Sequence, residues 1–314
     1  MSQLRLKTVT RVQGANKGLI DGRVTLKGFA FDFVEVPTII DGFRRMVRGL
    51  EFDVCEMAFS TYLCAREHNV PFTALPIFLV RGFHHGAIVH NVHAGIHTPK
   101  DLEGREVGVS RGYTVTTGVW ARGILHEEYG VDLSKVRWMR SGDEHVAEYV
   151  PPPNVGRLPE GKSLANMVAG GELAAAINVT VDHPDVRPLI PDPDRAAFQA
   201  LVQRGLYPIN HLVVVRDDLI RAHPGLAVGI FEVFAEAKHL YVERLRAGAV
   251  DDPTQVDRFH LRAMEVLGDP LPYGIEPNRA MIETLIRFAS SQRILTRPVV
   301  LEETFAEDTL DLVD

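Results

Sequence analysis

The sequence predicts an α/β protein of two lobes with a ligand cleft between them. Three observations carry this. Short apolar runs of strand length alternate with stretches of helical periodicity, the rhythm of βα units. The rhythm breaks at 97–104, a polar stretch holding Pro99 and Gly104, and restarts after it. A late strand at 207–215 follows a Pro-rich stretch and reads as the return crossing. Two crossings between βα blocks divide the chain into a discontinuous first lobe, 1–97 plus 213–314, and a second lobe, 98–212. The hinge crossings are expected near 95–100 and 207–213. A chain of 314 residues is long enough for both lobes.

Residues 4–9 alternate apolar and polar, as a strand does. A short helix with a Gly-rich entry is expected over 16–24, and a second strand over 29–36, ending at Glu35. Residues 41–49 form a helix with Phe43, Met46, Val47 and Leu50 on one face, and Gly49 is placed to cap it. A short buried strand at 52–57 carries Glu56 and runs into a helix over 58–67. Ser60 or Thr61 at that helix start serves as an ordinary N-cap or as an anion site. The apolar run 72–80, interrupted by Pro76, ends in Arg81-Gly82-Phe83-His84-His85. Residues 86–90 read as another strand.

After the polar segment, a strand at 105–109 leads into the hydroxyl-rich loop Ser110-Arg111-Gly112-Tyr113-Thr114 and a helix over 119–129 with Trp120, Ile124 and Leu125 inward. Strand, Ser/Gly/Thr loop and helix present backbone N–H groups to an anion. No GK[ST] ends the loop and no GxGxxG is present, which sets aside Walker A and dinucleotide folds. A strand at 136–139 and a Pro-rich loop at 151–161 follow. His145 comes after Ser141-Gly142-Asp143-Glu144 and reads as a solvated loop residue. A helix over 163–170 precedes a strand at 173–178 whose end exposes Asn178. Residues 187–194 are expected to wrap the surface. Long helices are expected over 226–246 and 278–292.

Composition narrows the function classes. Apolar residues make up 46% and charged residues 24%, as in ordinary globular domains. Forty-one acids against 34 bases leave a net charge of -7, which disfavours nucleic acid. No apolar run is long enough to cross a bilayer, so no membrane partner is expected. The N-terminus lacks a signal-peptide apolar core; with Met1 as the native start, the expected location is the cytoplasm. The two cysteines, Cys55 and Cys64, have no metal-type spacing and suit small buried positions.

In a two-lobed α/β protein the ligand contacts lie at strand ends and the loops after them. The candidates are Glu35, Glu56, Ser60, Arg81, Phe83, His84, His85, Ser110, Arg111, Tyr113, Thr114, Asn178 and His211. Arginine offers a planar fork for carboxylates, and histidine titrates near neutral pH. Together they suit a small anion on which protons are moved. His84, His85, His90, His93 and His97, five in fourteen residues, raise a divalent metal as the lesser alternative. They do not share one helical face and no HExxH frame exists.

Glu51-Phe52-Asp53-Val54-Cys55-Glu56-Met57, Phe78-Leu79-Val80-Arg81-Gly82-Phe83-His84-His85-Gly86-Ala87-Ile88 and Asp101-Leu102-Glu103-Gly104-Arg105-Glu106-Val107-Gly108-Val109 resemble the 4,5-dihydroxyphthalate decarboxylase family along most of the chain. That family is similar to the type II periplasmic binding proteins, the solute receptors of ABC transporters, which share a two-lobed fold. The resemblance implies loss of one of two adjacent carboxylates from a catechol ring, giving 3,4-dihydroxybenzoate and CO2 by acid/base catalysis without a cofactor. On chemical grounds, Arg81 or Arg111 is expected to anchor the retained carboxylate, and Phe83 or Phe59 to face the departing one. His84, His85, His211 and Glu56 are the expected catalytic groups. Ser60, Phe83, Ser110, Tyr113, Thr114 and Asn178 are expected around the substrate, a small aromatic carboxylate. A homo-oligomer is compatible with the sequence, which is silent on subunit number. The rival class is a solute-binding protein or sensor that holds an aromatic carboxylate without turnover. A further rival is another enzyme of this fold, such as a dihydroxynaphthoate synthase or a pyrimidine synthase.

Overall fold

The computed structural model describes residues 3–314. Among these residues, eleven strands form two mixed sheets. In the first half of the chain β1 (Leu4–Val9), α1 (Lys17–Ile20), β2 (Phe29–Phe33), α2 (Ile39–Gly49), β3 (Val54–Ala58), α3 (Phe59–Glu67) and β4 (Phe72–Arg81) follow in order. Then come β5 (Ile88–Asn91), β6 (Glu106–Val109), α4 (Thr116–Tyr129), β7 (Arg137–Arg140), β8 (Val155–Arg157), α5 (Leu164–Ala169), β9 (Ala175–Ile177) and β10 (Val186–Pro188). The chain ends with α6 (Pro193–Arg204), β11 (Ile209–Arg216), α7 (Asp217–Ala222), α8 (Leu226–Arg246), α9 (Gln255–Leu267) and α10 (Arg279–Ser291). The first sheet runs β2-β1-β3-β11-β4 and the second β10-β5-β9-β6-β7-β8.

Local sequence explains most element ends. Thr38 caps α2 by accepting from the Asp41 N–H at 3.3 Å. Gly49, expected to cap this helix, is its last residue instead. Leu50 takes the left-handed position with φ 48°. Every residue of β3 is buried because the strand lies centrally in its sheet. Pro76 sits inside β4 because the ladder with β11 is broken there. The pairing jumps from Val213–Leu75 to His211–Val80, and the Pro76 carbonyl turns to accept from the Gly274 N–H at 2.8 Å. Two helices escape the periodicity reading. The α6 helix starts on Asp192-Pro193, inside the segment expected to wrap the surface. The α9 helix begins with a Thr254–Asp257 capping box.

The first change of sheet corrects the expected hinge. The chain leaves the first sheet after Arg81 and enters the second at Ile88, where Ile88 pairs with Ile177 and Val89 with Ala176. The crossing therefore falls at 82–87, not near 95–100, and 88–97 belongs with the second sheet. The polar segment is a 3-10 turn, Pro99–Leu102, that feeds β6. Its Pro and Gly punctuate a turn within one lobe. The return passes through α6 and re-enters the first sheet at Ile209.

The lobes are packed together. One apolar cluster holds Phe59 and Phe78 of the first with Trp120 and Trp138 of the second. Trp120 on α4 donates its indole N–H to the Ile209 carbonyl at 3.0 Å and meets Phe288 of α10 edge-on at 5.5 Å. A buried aromatic of this size contributes roughly 2–3 kcal/mol. Among the described residues no helix is long and apolar enough to cross a membrane.

Candidate active site between the lobes

The β3 and β11 strands are antiparallel, with Val213 opposite Glu56 and His211 opposite Ala58. Glu56 and His211 are thus diagonal neighbours on one face. His211 Nδ1 lies 2.6 Å from Glu56 Oε1. The Glu56 side chain is fully buried, whereas His211 keeps 16% of its side chain exposed. The loop after β1 wraps the carboxylate. Glu56 accepts from Thr10 Oγ1 at 2.8 Å, the Arg11 N–H at 2.9 Å, Arg11 Nε at 3.2 Å and Gln13 Nε2 at 3.3 Å. Burial opposes ionisation, yet the hydrogen bond from His211 and the charges of His211 and Arg11 hold the Glu56 carboxyl down at about 2. An ionised carboxylate only accepts, so Nδ1 of His211 carries a proton toward it, and Nε2 is the ring nitrogen left for another partner. Arg11 Nη2 is 3.4 Å from the same Nδ1. A nitrogen already donating cannot accept there, so Arg11 acts on Glu56.

On the second lobe stands His145, expected in a solvated loop. It is 3% exposed. Its Nδ1 is 3.0 Å from Thr61 Oγ1 on α3, and its Nε2 is buried with no hydrogen-bond partner among the described residues. Phe43 of α2 packs edge-on against both rings, 5.0 Å from His211 and 6.1 Å from His145. Burial, then the charges of Arg44, Arg111, Arg48 and His211, push His145 down to about 4. Arg48 donates to the Glu144 and His145 carbonyls at 2.8 and 3.1 Å, joining α2 to the second lobe. Arg44 Nε is buried and unpartnered. Arg111 is an exposed side chain in the left-handed region, φ 65°, directly after β6. Asn178 occupies the same region, φ 59°, directly after the neighbouring parallel strand β9. Ser110 and Asn178 therefore sit side by side at carboxyl ends of the second sheet.

The Ser110–Thr114 loop does form the expected anion cradle, but the protein fills it. Glu144 accepts from the Tyr113 N–H at 2.6 Å, the Thr114 N–H at 3.0 Å and Thr114 Oγ1 at 2.7 Å. A Cβ on Gly112 would lie 2.4 Å from Glu144 Oε2, so only glycine admits the carboxylate. The Tyr113 ring turns inward and stacks on buried Arg122 at 3.8 Å. Ser60 is also committed. Its Oγ donates to the Thr114 carbonyl at 2.6 Å, and Thr116 Oγ1 accepts from its N–H at 3.2 Å, so the starts of α3 and α4 are fastened together. Ser60, Tyr113 and Thr114 are interlobe and loop supports, not free ligands.

The Arg81–His85 cluster is a structural turn. Arg81 Nη1 donates to the Tyr207 carbonyl at 2.9 Å, and Nη2 donates to the Pro272 carbonyl at 3.3 Å and to Asn278. Burial lowers this guanidinium to about 10. Phe83 packs against Tyr207 and Phe259 at 6.1 and 5.1 Å. His84 Nε2 lies 2.9 Å from Asn210 Oδ1, and burial takes its imidazole down to about 4. His85 Nε2 lies 3.0 Å from Glu128 Oε2 on α4, and Glu128 also pairs with Arg204 of α6 at 2.5 Å. None of these partners belongs to the Glu56–His211 group. Phe59, the other aromatic expected at the substrate, is fully buried against Tyr62, Phe78 and Phe305.

The histidines of 84–97 do not converge either. His93 pairs with Asp185 at 3.4 Å and His97 is exposed. Among the described residues no group of three or more His, Cys, Asp or Glu is placed to hold a metal ion. Two surface cavities, about 270 and 340 Å³, are lined by residues of 63–69, 148–150 and 293–304 and by none of the dyad residues.

A 4,5-dihydroxyphthalate decarboxylase of Comamonas testosteroni is 30% identical, and the match covers 99% of each chain. The chain belongs to the 4,5-dihydroxyphthalate decarboxylase family. With it the chain joins the carboxy-lyases. A decarboxylase of the same name from Pseudomonas putida is 32% identical over 63% of this chain and 81% of its own. No family model matches the sequence. The fold is that of the periplasmic binding proteins. The aliphatic sulphonate binding protein SsuA of Escherichia coli superposes with a TM-score of 0.53 at 12% identity, over 98% of this chain and 99% of its own. The desulfurization enzyme DszB, bound to biphenyl-2-sulfinic acid, reaches 0.55 at 16% identity, over 99% and 98%.

Proposed function

We propose that this family member decarboxylates 4,5-dihydroxyphthalate to 3,4-dihydroxybenzoate and CO2, using side chains alone. The observation that carries the reading is the Glu56–His211 dyad, a buried carboxylate orienting an imidazole that keeps 16% of its side chain exposed. The substrate is a dianion, and Arg44, whose Nε is buried without a partner, is a cation not spent on the protein. In the proposed cycle His211 Nε2 takes the proton of the ring hydroxyl para to the departing carboxylate. Electron density moves from that oxygen through the ring to the carbon bearing the carboxylate. That carbon takes a proton supplied by solvent. The C–C bond then breaks, its electron pair returns to the ring, and CO2 leaves. His211 returns its proton to the phenolate oxygen. One solvent proton is consumed for each CO2. The developing imidazolium is stabilised by Glu56, and general base catalysis of this kind contributes about 10²–10⁴-fold.

The test is to incubate the protein with 4,5-dihydroxyphthalate and follow CO2 together with 3,4-dihydroxybenzoate. Turnover is expected, and His211→Gln is expected to remove most of it. Tight binding of the acid with no CO2 would instead favour a solute receptor or sensor.

A further inference from the structure

We infer that Asn16 is a positioning residue for the proposed base: through the Thr10 hydroxyl it fixes the Glu56 carboxylate, and through that carboxylate the His211 imidazole. The inference rests on the decarboxylase reading for its effect on turnover, and on hydrogen-bond geometry alone for its effect on His211.

One short loop between β1 and α1 holds the Glu56 carboxylate. Oε2 accepts from Thr10 Oγ1 at 2.8 Å, the Arg11 N–H at 2.9 Å and Gln13 Nε2 at 3.3 Å. Oε1 accepts from Arg11 Nε at 3.2 Å and faces His211 Nδ1 at 2.6 Å. Donors on both oxygens leave the carboxylate little freedom to turn, so the loop decides how Oε1 is presented to the imidazole.

A loop can bend round one oxygen in this way only if its own backbone is tied back, and Asn16 ties it. Asn16 is 0% exposed. Its Nδ2 donates to the Arg11 carbonyl at 2.8 Å and to Thr10 Oγ1 at 3.0 Å, and its Oδ1 accepts from the Gln13 N–H at 2.8 Å. Both amide protons and the amide oxygen are therefore spent on the same three residues that hold Glu56. The bond to Thr10 also sets a direction. The Thr10 hydroxyl has one proton to give and two acceptors in reach, Glu56 Oε2 at 2.8 Å and the Arg11 carbonyl at 3.3 Å. Asn16 already donates to that carbonyl and to Thr10 Oγ1 itself, so the proton goes to the carboxylate, where the bond is charge-assisted. Behind the loop, Gly14 lies against the Tyr241 ring of α8, so closely that a Cβ would sit 2.2 Å from a ring carbon. The Tyr241 hydroxyl donates to Asp257 of α9 at 2.6 Å, which anchors the ring. The loop is clamped between this buttress and Glu56.

The test is a double-mutant cycle in the full chain. It is read by kinetics on 4,5-dihydroxyphthalate and by nitrogen NMR of the histidine rings, with His211 assigned from the His211→Gln spectrum. Thr10→Val keeps the shape and removes the hydroxyl; Asn16→Ala removes the amide. Each is expected to lower kcat by roughly 10–100-fold, the equivalent of one charge-assisted hydrogen bond, with KM within about threefold. Thr10→Ser should keep kcat within about threefold of wild type. The double variant should be no more than about twofold slower than the slower single variant, because both act on one carboxylate. In the His211→Gln background, Asn16→Ala should change kcat by less than about twofold. The His211 Nδ1 resonance should be that of a protonated nitrogen in wild type and should move in both variants. Thermal melts confirm folding, and Asn16→Asp, nearly the same shape and unable to donate, serves if Asn16→Ala does not fold. Losses that multiply in the double variant, or a His211 resonance unchanged in the folded variants, overturn the inference. The dyad reading fails separately. Full turnover in His211→Gln removes the base from the cycle, and the His211 resonance then still decides whether Asn16 sets that ring.

Discussion

Two parts of this molecule are built from the same residue types and have opposite fates. The turn at 81–85 holds a cation, an aromatic ring and two imidazoles, and each of its three titratable side chains has a protein partner, although Arg81 Nε and His85 Nδ1 are buried without one. Arg81 meets two carbonyls and Asn278, His84 meets Asn210, and His85 meets Glu128. The cleft also holds arginines, an aromatic ring and two imidazoles. There, Arg44, Arg111 and His145 Nε2 lack partners, and Glu56 fixes which nitrogen of His211 is open. Residue type does not separate a hinge from a site; what differs is whether a cation as a whole has a partner in the chain, as Arg81 does and Arg44 does not.

The largest effect that can test this contrast is on catalysis. His211→Gln is expected to lower kcat for 4,5-dihydroxyphthalate by about 10²–10⁴, with the melting temperature nearly unchanged. A loss below tenfold would remove the base from the proposed cycle. The next effect falls on stability. Arg81→Met strands the Tyr207 carbonyl and Asn278 Oδ1, while the Pro272 carbonyl keeps Asn278 Nδ2, and should cost on the order of 3 kcal/mol. Turnover per folded molecule should stay within about twofold, because no step runs through Arg81. A collapse of turnover at unchanged stability would return the turn to the active site.

Acid stability comes third. His84, His145 and His260 are all pushed from 6.5 to about 4, chiefly by burial. Their neutral forms are favoured in the folded state. The stability they contribute is complete above about pH 6.5 and is lost as pH falls from there through about 4. Denaturant midpoints should therefore fall over that interval, and replacing His84 with Gln should flatten the slope. An unchanged slope would mean that His84 does not titrate with unfolding. The smallest effect is at the interlobe fastening. Ser60→Ala removes the bond to the Thr114 carbonyl and should cost about 1 kcal/mol, read from chemical denaturation, with KM changed more than kcat.

Much of the fold was legible in the sequence because it is written in local periodicity. The β3–α3 and β6–α4 units appear where apolar runs give way to helical spacing. The crossing was misplaced because Pro99 and Gly104 punctuate a turn within one lobe as strongly as they would a linker. Glu56, His211, Arg111, Ser110 and Asn178 could be named from strand ends. Arg44 and His145 could not. Arg44 is one of three arginines on a single helix, and nothing local distinguishes it from Arg45 or Arg48. His145 follows Ser-Gly-Asp-Glu, a string that reads as a solvated loop until Thr61, Phe43 and Arg48 cover it.

By itself, the sequence determined the two-lobed α/β class, the family and most of the strand ends at which chemistry could stand. Periodicity, caps and motifs are properties of neighbouring residues. Only the tertiary structure decided which cations and imidazoles are spent on the protein and which remain for a ligand. That choice is made by partners far away in the chain, such as Asn278 for Arg81, Glu128 for His85 and Glu144 for the 112–114 loop. A polar group is free or satisfied according to what the fold brings within hydrogen-bonding reach of it, about 3 Å, and that distance is set by packing rather than by spacing along the chain.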